Sequence, residues 1–488
     1  KRITFVQIDW RPDKASPVPI YRQITQYICG KVSGGQWPIG TRLPSQRTLA
    51  ELFGVNRSTI AAAIDELTSY GITAGNRGAG TQIVSNTWSL LLPPTPDWNR
   101  LIASGSFREN NRVIQKINHL EFAPNMIRLG TGELDPRLFP SKMWESTLQK
   151  LSRQVTDLGY LEPLGLSELR KAISAHMKTL GVDAPPSCIL ITSGALQALQ
   201  LISVCLLPKG SAVFTEAPTY LKSLQVFQSA GMTLSGVPID KKGMQYWKLA
   251  SALRAVGEPF SSILYTIPTS QNPTGITMPD DRRMELMNFC AQNRMPVIED
   301  GAYHELCFGD KPPLPLKAYD RTGMVIYLGS ASKTLAPGLR IGWIIAPEPI
   351  VQRLGDVKMQ TDYGASSISQ WIFAEFLTSG LYYQYLSSLK NELRRRRDHA
   401  LDVLNRHCRS IADWNKPSGG FYIWLTFKDD IPMQRLFEKA AKSGILLNPG
   451  YMYDFEQNNS LRLSYAYASC EEFEDAAVKL AEIVNSMR

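Results

Sequence analysis

No stretch of the chain approaches the roughly 20 consecutive apolar residues that a helix needs to cross a bilayer, and the first residues hold no apolar run of the signal-peptide type. Cysteine is scarce. There are seven in 488 residues, an odd number without paired ligand spacing, which argues against a disulfide framework and against a zinc module. Histidine is scarcer, five in all and none at ligand spacing, so no metal is expected. These absences give the expectation of a cytoplasmic protein with reduced thiols and no membrane partner. What is present is an ordinary globular composition, 44% hydrophobic and 20% charged, in a chain long enough for roughly two to four domains.

The net charge of +9 is unevenly spread. Residues Lys1 to Ser85 hold ten Lys or Arg against five Asp or Glu, a surplus of five from about a sixth of the chain, which suits a polyanionic partner. Within that stretch, Pro19 to Ile28 has apolar residues at helical spacing, closed by Gly34-Gly35. Leu43-Pro44-Ser45-Gln46-Arg47 opens a second short helix with Ser45 as its cap, and Gly54-Val55 is the turn. Asn56 can cap a third helix, Arg57 to Leu67, with Ile60, Ile64 and Leu67 as its buried stripe. A helix-turn-helix directs the N-terminal residues of its second helix at base edges, here Asn56, Arg57, Ser58 and Thr59. Ile72 to Val84 reads as a hairpin with a glycine tip at Gly78 to Gly80, a wing able to lie along a groove. A plain three-helix bundle with a solvated basic face is the alternative. The pattern resembles the winged helix-turn-helix of GntR-type bacterial regulators, through Gly40 to Arg47, Val55 to Ile60 and Gly78 to Thr81. The resemblance implies DNA contacts by Arg47, Arg57, Ser58, Thr59, Gly78 and Gly80.

A second constellation lies far downstream. In Ser330-Ala331-Ser332-Lys333, followed by Gly338-Leu339-Arg340, a lysine amine can form a Schiff base with an aldehyde while two hydroxyls and a guanidinium bind a phosphate. The cofactor this implies is pyridoxal 5'-phosphate. Val297-Ile298-Glu299-Asp300 reads as an apolar strand ending in a carboxylate, and Asp300 can keep the ring nitrogen of such a cofactor protonated. Tyr303, and Asn272 in the Pro- and Gly-marked turn Ser270 to Gly275, can hydrogen-bond its phenolic oxygen. Cys188 to Thr192 is strand-like and leads into Ser193-Gly194-Ala195, the start of a helix whose free amides can hold a phosphate. Ala195 and Leu196 offer only backbone amides there. Tyr220, after another short strand, can stack on the ring.

From about Met126 to the C-terminus the chain resembles class I aminotransferases of the fold-type I pyridoxal phosphate group, an α/β domain with a large and a small lobe. The resemblance implies that Lys333 is the Schiff-base lysine, Asp300 the ring-nitrogen partner, and Ser330, Ser332 and Arg340 phosphate ligands. It makes Arg462, in Leu461-Arg462-Leu463, the group that grips a carboxylate, and Tyr160 a residue reaching the phosphate of a neighbouring subunit in a homodimer. Gly130 to Leu134, with Gly132 at its centre, is a candidate lining for an effector beside Asn272 and Arg462; Glu133 in it can repel a second carboxylate or attract a second amine.

The organisation expected is therefore a winged helix-turn-helix over 1–85, a proline-bearing linker over 86–125 with a helical stretch at Arg112 to Ile117, and an aminotransferase-like domain over 126–488. Arg394 to Arg397 lies in a long helical pattern and is expected to be a solvated or salt-bridged face. As a whole, the chain resembles the MocR subfamily of GntR regulators, which implies a head-to-tail homodimer that binds operator DNA and senses a small amine or amino acid, or pyridoxal phosphate itself. The alternative is a working aminotransferase tethered to a DNA-binding module.

Overall fold

The computed structural model describes residues 6, 8–76, 80–85, 104–105, 112–256, 261–309 and 311–488. Two compact units result, Lys1–Gly105 and Ser106–Arg488, so the break falls inside the segment expected as a linker.

In the first unit, helices α1 (Ile20–Ser33), α2 (Gln46–Phe53) and α3 (Arg57–Ser69) precede the antiparallel pair β1 (Thr73–Asn76) and β2 (Gly80–Ile83). Ser45 caps α2, its hydroxyl accepting from the Thr48 N–H at 3.2 Å. Gly54 ends that helix at φ 68°, a left-handed conformation that costs a glycine little. Asn56 does occupy the N-cap position of α3, but its side chain makes no cap bond. Its amide is not committed to the helix, contrary to the expectation above. Ile24, Ile28, Leu49, Phe53, Ile60, Ile64 and Leu67 close one core with Ile72 and Ile83 of the wing. Each such residue contributes about 1.5–3 kcal/mol by leaving water. The wing tip, including Gly78, lies outside the described residues.

In the second unit, the short strand β3 (Ile127–Arg128) precedes an eight-stranded sheet. Its members are β4 (Ile189–Thr192), β5 (Ala212–Ala217), β6 (Thr233–Asp240), β7 (Gly243–Met244), β8 (Ser262–Thr266), β9 (Val297–Asp300), β10 (Val325–Ser330) and β11 (Gly342–Ile345). Their order is β4-β11-β10-β9-β8-β5-β6-β7. Strands β6, β5, β8, β9 and β10 run parallel, while β11 is antiparallel to both its neighbours. β4 and β10 are buried along their whole length, as continuous apolar strands covered on both faces must be.

A smaller antiparallel sheet follows, built from β12 (Ala412–Trp414), β13 (Tyr422–Phe427), β15 (Asn448–Pro449) and β16 (Ser460–Ser464) in the order β12-β13-β16-β15. Between β13 and β15, β14 (Ile445–Leu446) pairs in parallel with β3. The helix Arg112–Leu120 belongs to this unit, with Ile117 in its main core and Val113 and Leu120 packed against it. Arg396 and Arg397, in the helix Leu381–His407, are buried. Arg396 bonds Asp135 and Glu392 at 2.8 Å each, and Arg397 donates to the Pro417 carbonyl. Among the described residues, no helix is long and apolar enough to cross a membrane.

Candidate functional site

Parallel strands bring their carboxyl ends to one edge, where an open α/β sheet binds its ligands. β4 is followed by Gly194, β5 by Tyr220, β8 by Asn272, β9 by Tyr303 and β10 by Lys333. The loops meet over a cavity of about 400 Å³, whose wall includes Gly132, Tyr220, Asn272, Asp300, Lys333 and Arg462. Ala195, Tyr303, Ser330, Ser332 and Arg340 line it as well. A lysine, a carboxylate and two arginines far apart in sequence thus share one space.

The Lys333 ammonium donates to the Gly132 carbonyl at 2.6 Å. Asp300 ends β9 with its carboxylate accepting from the Tyr265 hydroxyl at 2.7 Å and the Ala302 N–H at 3.0 Å. Burial raises its pKa above the ordinary range, against the pull of those bonds and of Lys333. A cationic ring nitrogen would suit this carboxylate. Its sequence neighbour Glu299 points the other way and accepts from the N–H groups of Leu316 and Lys317 at 2.8 Å each, a structural cap.

Arg462 rises from β16 into the cavity, 4% exposed. Its Nη1 donates to Asn272 Oδ1 at 2.9 Å and its Nη2 to the Gly130 carbonyl at 2.7 Å, while its Nε is buried without a partner. The guanidinium lies between the rings of Tyr422 and Tyr453, at 4.4 and 4.6 Å from their centroids. Such a stacked fork is suited to a planar carboxylate. Tyr303 and Tyr422 share a hydrogen bond of 2.8 Å. Burial, and then Tyr422, holds the Tyr303 phenol well above the usual tyrosine range, so it remains a donor.

The turn after β4 depends on glycine. Gly194 has φ 95°, and a Cβ there would meet the Arg340 guanidinium at 2.7 Å. Arg340 reaches across it to the Ser193 carbonyl at 2.9 Å. The helix Ala195–Cys205 begins immediately after, with no side chain capping its first amides, and presents them beside Arg340 and Ser332. That donor set fits a phosphate. Ser193 itself is turned aside: its N–H donates to Gln197 Oε1 at 2.7 Å and its hydroxyl to Asp362 at 3.4 Å. Tyr160 is also away from its own chain's cavity, 86% exposed and packed on Tyr363 at 4.7 Å.

Other residues of the wall gave no signal in the sequence. Ile114, Ile117, Asn118 and Glu121, in and just after the helix Arg112–Leu120, close one side together with Lys222. Asn118 Oδ1 accepts from Lys222 Nζ at 3.1 Å, and Glu121 accepts from the Thr131 hydroxyl at 3.2 Å. Glu216, at the end of β5, is fully buried behind the cavity and accepts from the Thr266 hydroxyl and the Ile267 N–H.

On the first unit, Asn56, Arg57 and Ser58 are exposed at the start of α3, with Thr59 half-buried. Arg47 on α2 is exposed and lies 3.6 Å from Glu51. Gly80 opens β2 at φ 81°. The residues expected to read DNA, those of the tip aside, therefore lie along α2, the turn and α3.

The two units define, in turn, a winged helix-turn-helix and an aminotransferase domain of fold type I. Residues 20–83 match the family described as bacterial regulatory proteins, gntR family, and residues 124–480 that described as aminotransferase class I and II. The chain belongs to the MocR subfamily of GntR-type regulators, transcriptional regulators that join these two parts. It is 49% identical over 474 residues to the uncharacterized HTH-type transcriptional regulator YisV of Bacillus subtilis, covering 97% of each chain. The HTH-type transcriptional regulator NorG of Staphylococcus aureus is 33% identical over 449 residues, 91% of this chain and 100% of its own. The crystal structure of Pyrococcus horikoshii kynurenine aminotransferase in complex with PMP matches at TM-score 0.73 and 31% identity, over 78% of this chain and 95% of that one.

Proposed function

We propose that the aminotransferase-like unit holds pyridoxal 5'-phosphate and uses it to sense an amino compound, setting the affinity of the other unit for operator DNA in the cytoplasm. When bound, the cofactor supplies an electrophilic carbon and an electron-accepting ring. Lys333 would carry it, Asp300 would face its ring nitrogen, and Asn272 and Tyr303 would take its phenolic oxygen, with Tyr220 against the ring. Ser330, Ser332, Arg340 and the Gly194 and Ala195 amides would hold its phosphate, joined by Tyr160 of a second chain in a head-to-tail homodimer. Arg462, with an unused buried Nε, would receive the effector's carboxylate.

The observation that favours sensing is the placement of the helix Arg112–Leu120. That helix is the first named element of the second unit, and it helps to wall the cavity. Ile114, Ile117 and Asn118 form part of that wall, so an occupant that moves them acts on the N-terminal end of the second unit. Ligand binding shifts DNA affinity only as far as it favours one conformation over another.

The test is an absorption titration of the purified protein with single amino acids and simple amines, followed by a multiple-turnover assay with excess keto acid. A spectral change that stops at one equivalent is expected. Lys333→Ala should remove the near-visible band altogether, and its persistence would mean that another lysine carries the cofactor. The second reading, an aminotransferase in its own right, is favoured by the convergence of Lys333, Asp300 and Arg462, and sustained turnover would establish it. A third, with pyridoxal phosphate as the signal, requires DNA affinity to follow cofactor loading without any amine.

A further inference from the structure

The segment before α1 carries two cations on the DNA-reading side that have no role in the account above. It does not trail away from the fold. Trp10 stacks on Tyr27, centroids 4.9 Å apart and planes at 11°, and meets Phe53 edge-on at 6.2 Å. Gln23 of α1 fastens the next residues: its Oε1 accepts from the Asp13 N–H at 2.9 Å, and its amide donates to the carbonyls of Asp13 at 2.9 Å and Val18 at 2.7 Å. Gln23 is 9% exposed, and breaking bonds to a buried amide leaves it unsatisfied at a cost of about 1–3 kcal/mol. The helix therefore fixes where the arm lies.

The consequence is the position of Arg11 and Lys14. An Arg11 Nη1 lies 4.0 Å from where a Cβ on Gly54 would stand, at the turn between α2 and α3. Lys14 lines the same surface depression as Arg47, Gly54, Asn56, Arg57 and Thr59. Both are exposed, and neither has an ion-pair partner among the described residues. The nearby carboxylates are engaged: Asp9 by Tyr27 and Lys31, Asp13 by the Ala15 N–H, and Glu51 by Arg47. Arg22 and Lys31, by contrast, are paired with Glu66 and Asp9.

We infer that Arg11 and Lys14 form a second DNA anchor, each contacting a backbone phosphate on the flank of the groove that α3 enters. The inference rests on the DNA-binding reading of α3. A helix that enters the major groove runs between two walls of phosphate, and long cations set beside its N-terminus meet those walls rather than base edges. Such contacts add affinity for any duplex and carry no sequence information.

The test uses the full-length protein and a fluorescein-labelled duplex of about 30 base pairs and arbitrary sequence, with anisotropy measured between about 50 and 200 mM salt. For each DNA-binding unit engaged, loss of two phosphate contacts should lower the slope of log affinity against log salt by about 1.8 in R11A/K14A, and by about 0.9 in K14A alone. R11K/K14R should keep the original slope, and preference for a selected site over the arbitrary duplex should be unchanged in all three. A wild-type slope in R11A/K14A overturns the inference, as does a loss of sequence preference, which would make these residues base readers. Arg57→Ala separates the two levels of the account. If it weakens binding while R11A/K14A does not, only the anchor falls; if the unsubstituted protein does not bind duplex DNA, the reading of α3 falls with it.

Discussion

Near the end of β5, Glu216 is fully buried, and burial pushes its pKa up to about 7 from 4.5. The folded chain thus binds this proton more tightly than the unfolded chain does. The stabilisation is fully present below about pH 4.5 and is lost as pH rises through 7. Glu216→Gln keeps the oxygen that accepts from Thr266 and Ile267 and removes the titration. The variant should gain about 1–3 kcal/mol over the parent at pH 8 and nothing near pH 4.5, measured by urea unfolding across that range. Parallel curves for the two proteins would show that folding does not raise the Glu216 pKa.

Arg462→Lys isolates the fork. It should weaken effectors bearing a carboxylate by about 2–3 kcal/mol and leave carboxylate-free amines unchanged in the absorption titration; equal losses for both would remove Arg462 from the carboxylate role. Lys333, Asp300 and Asn272 were legible in the sequence because their chemistry stands in short local motifs. Tyr265 and Tyr422 were not, since each sits inside an apolar strand run where a tyrosine reads as core. Asn118, Glu121 and Lys222 carried no motif at all, and only folding brings them to the cavity.

Among the elements, the strand-turn-helix from β4 to Ala195–Cys205 is the proposed phosphate cradle. Gly194→Ala would put a methyl against Arg340 and hold an alanine at a positive φ that it disfavours. Cofactor affinity should fall at least about tenfold, given strain of order 1–3 kcal/mol, as read by equilibrium dialysis. In the winged unit, Ser45→Ala deletes the cap of α2 and should cost that unit about 1 kcal/mol, visible as an earlier thermal transition while the second unit is unaffected.

Helix and strand positions were largely readable here: α1 stops at Gly34, β4 spans Ile189–Thr192 and β9 spans Val297–Asp300, close to where periodicity put them. Sheet order was not, because β11 inserts antiparallel between β4 and β10 through pairings 150 or more residues away in sequence for β4. Two-residue strands such as β14 and β15 are equally invisible, since they are defined by their partners and not by a pattern. Asn56 shows the limit of local chemistry: a residue suited to capping stands at the cap position and leaves its side chain free of that bond.

For the whole molecule, what matters is that one chain carries both a DNA-binding unit and a cofactor-type cavity, and that the stretch after the first unit helps to wall the second. Two function classes could be read from the sequence because each unit has its own motifs. The proposed coupling could not, because it rests on where the helix Arg112–Leu120 packs, and a nine-residue amphipathic segment gives no indication of which neighbour it covers. By linkage, an effector that alters DNA affinity must be altered in its own affinity by DNA to the same extent.

The most direct measurement follows DNA affinity and the cofactor absorption together, in one titration of the full-length protein with the amino compound that shifts the spectrum. The DNA is a duplex the protein itself selects from a random pool. The dissociation constant for that duplex is expected to change by about 5- to 150-fold, with the same half-saturation as the spectral change. A spectral change that reaches saturation while the DNA affinity stays fixed would contradict this expectation.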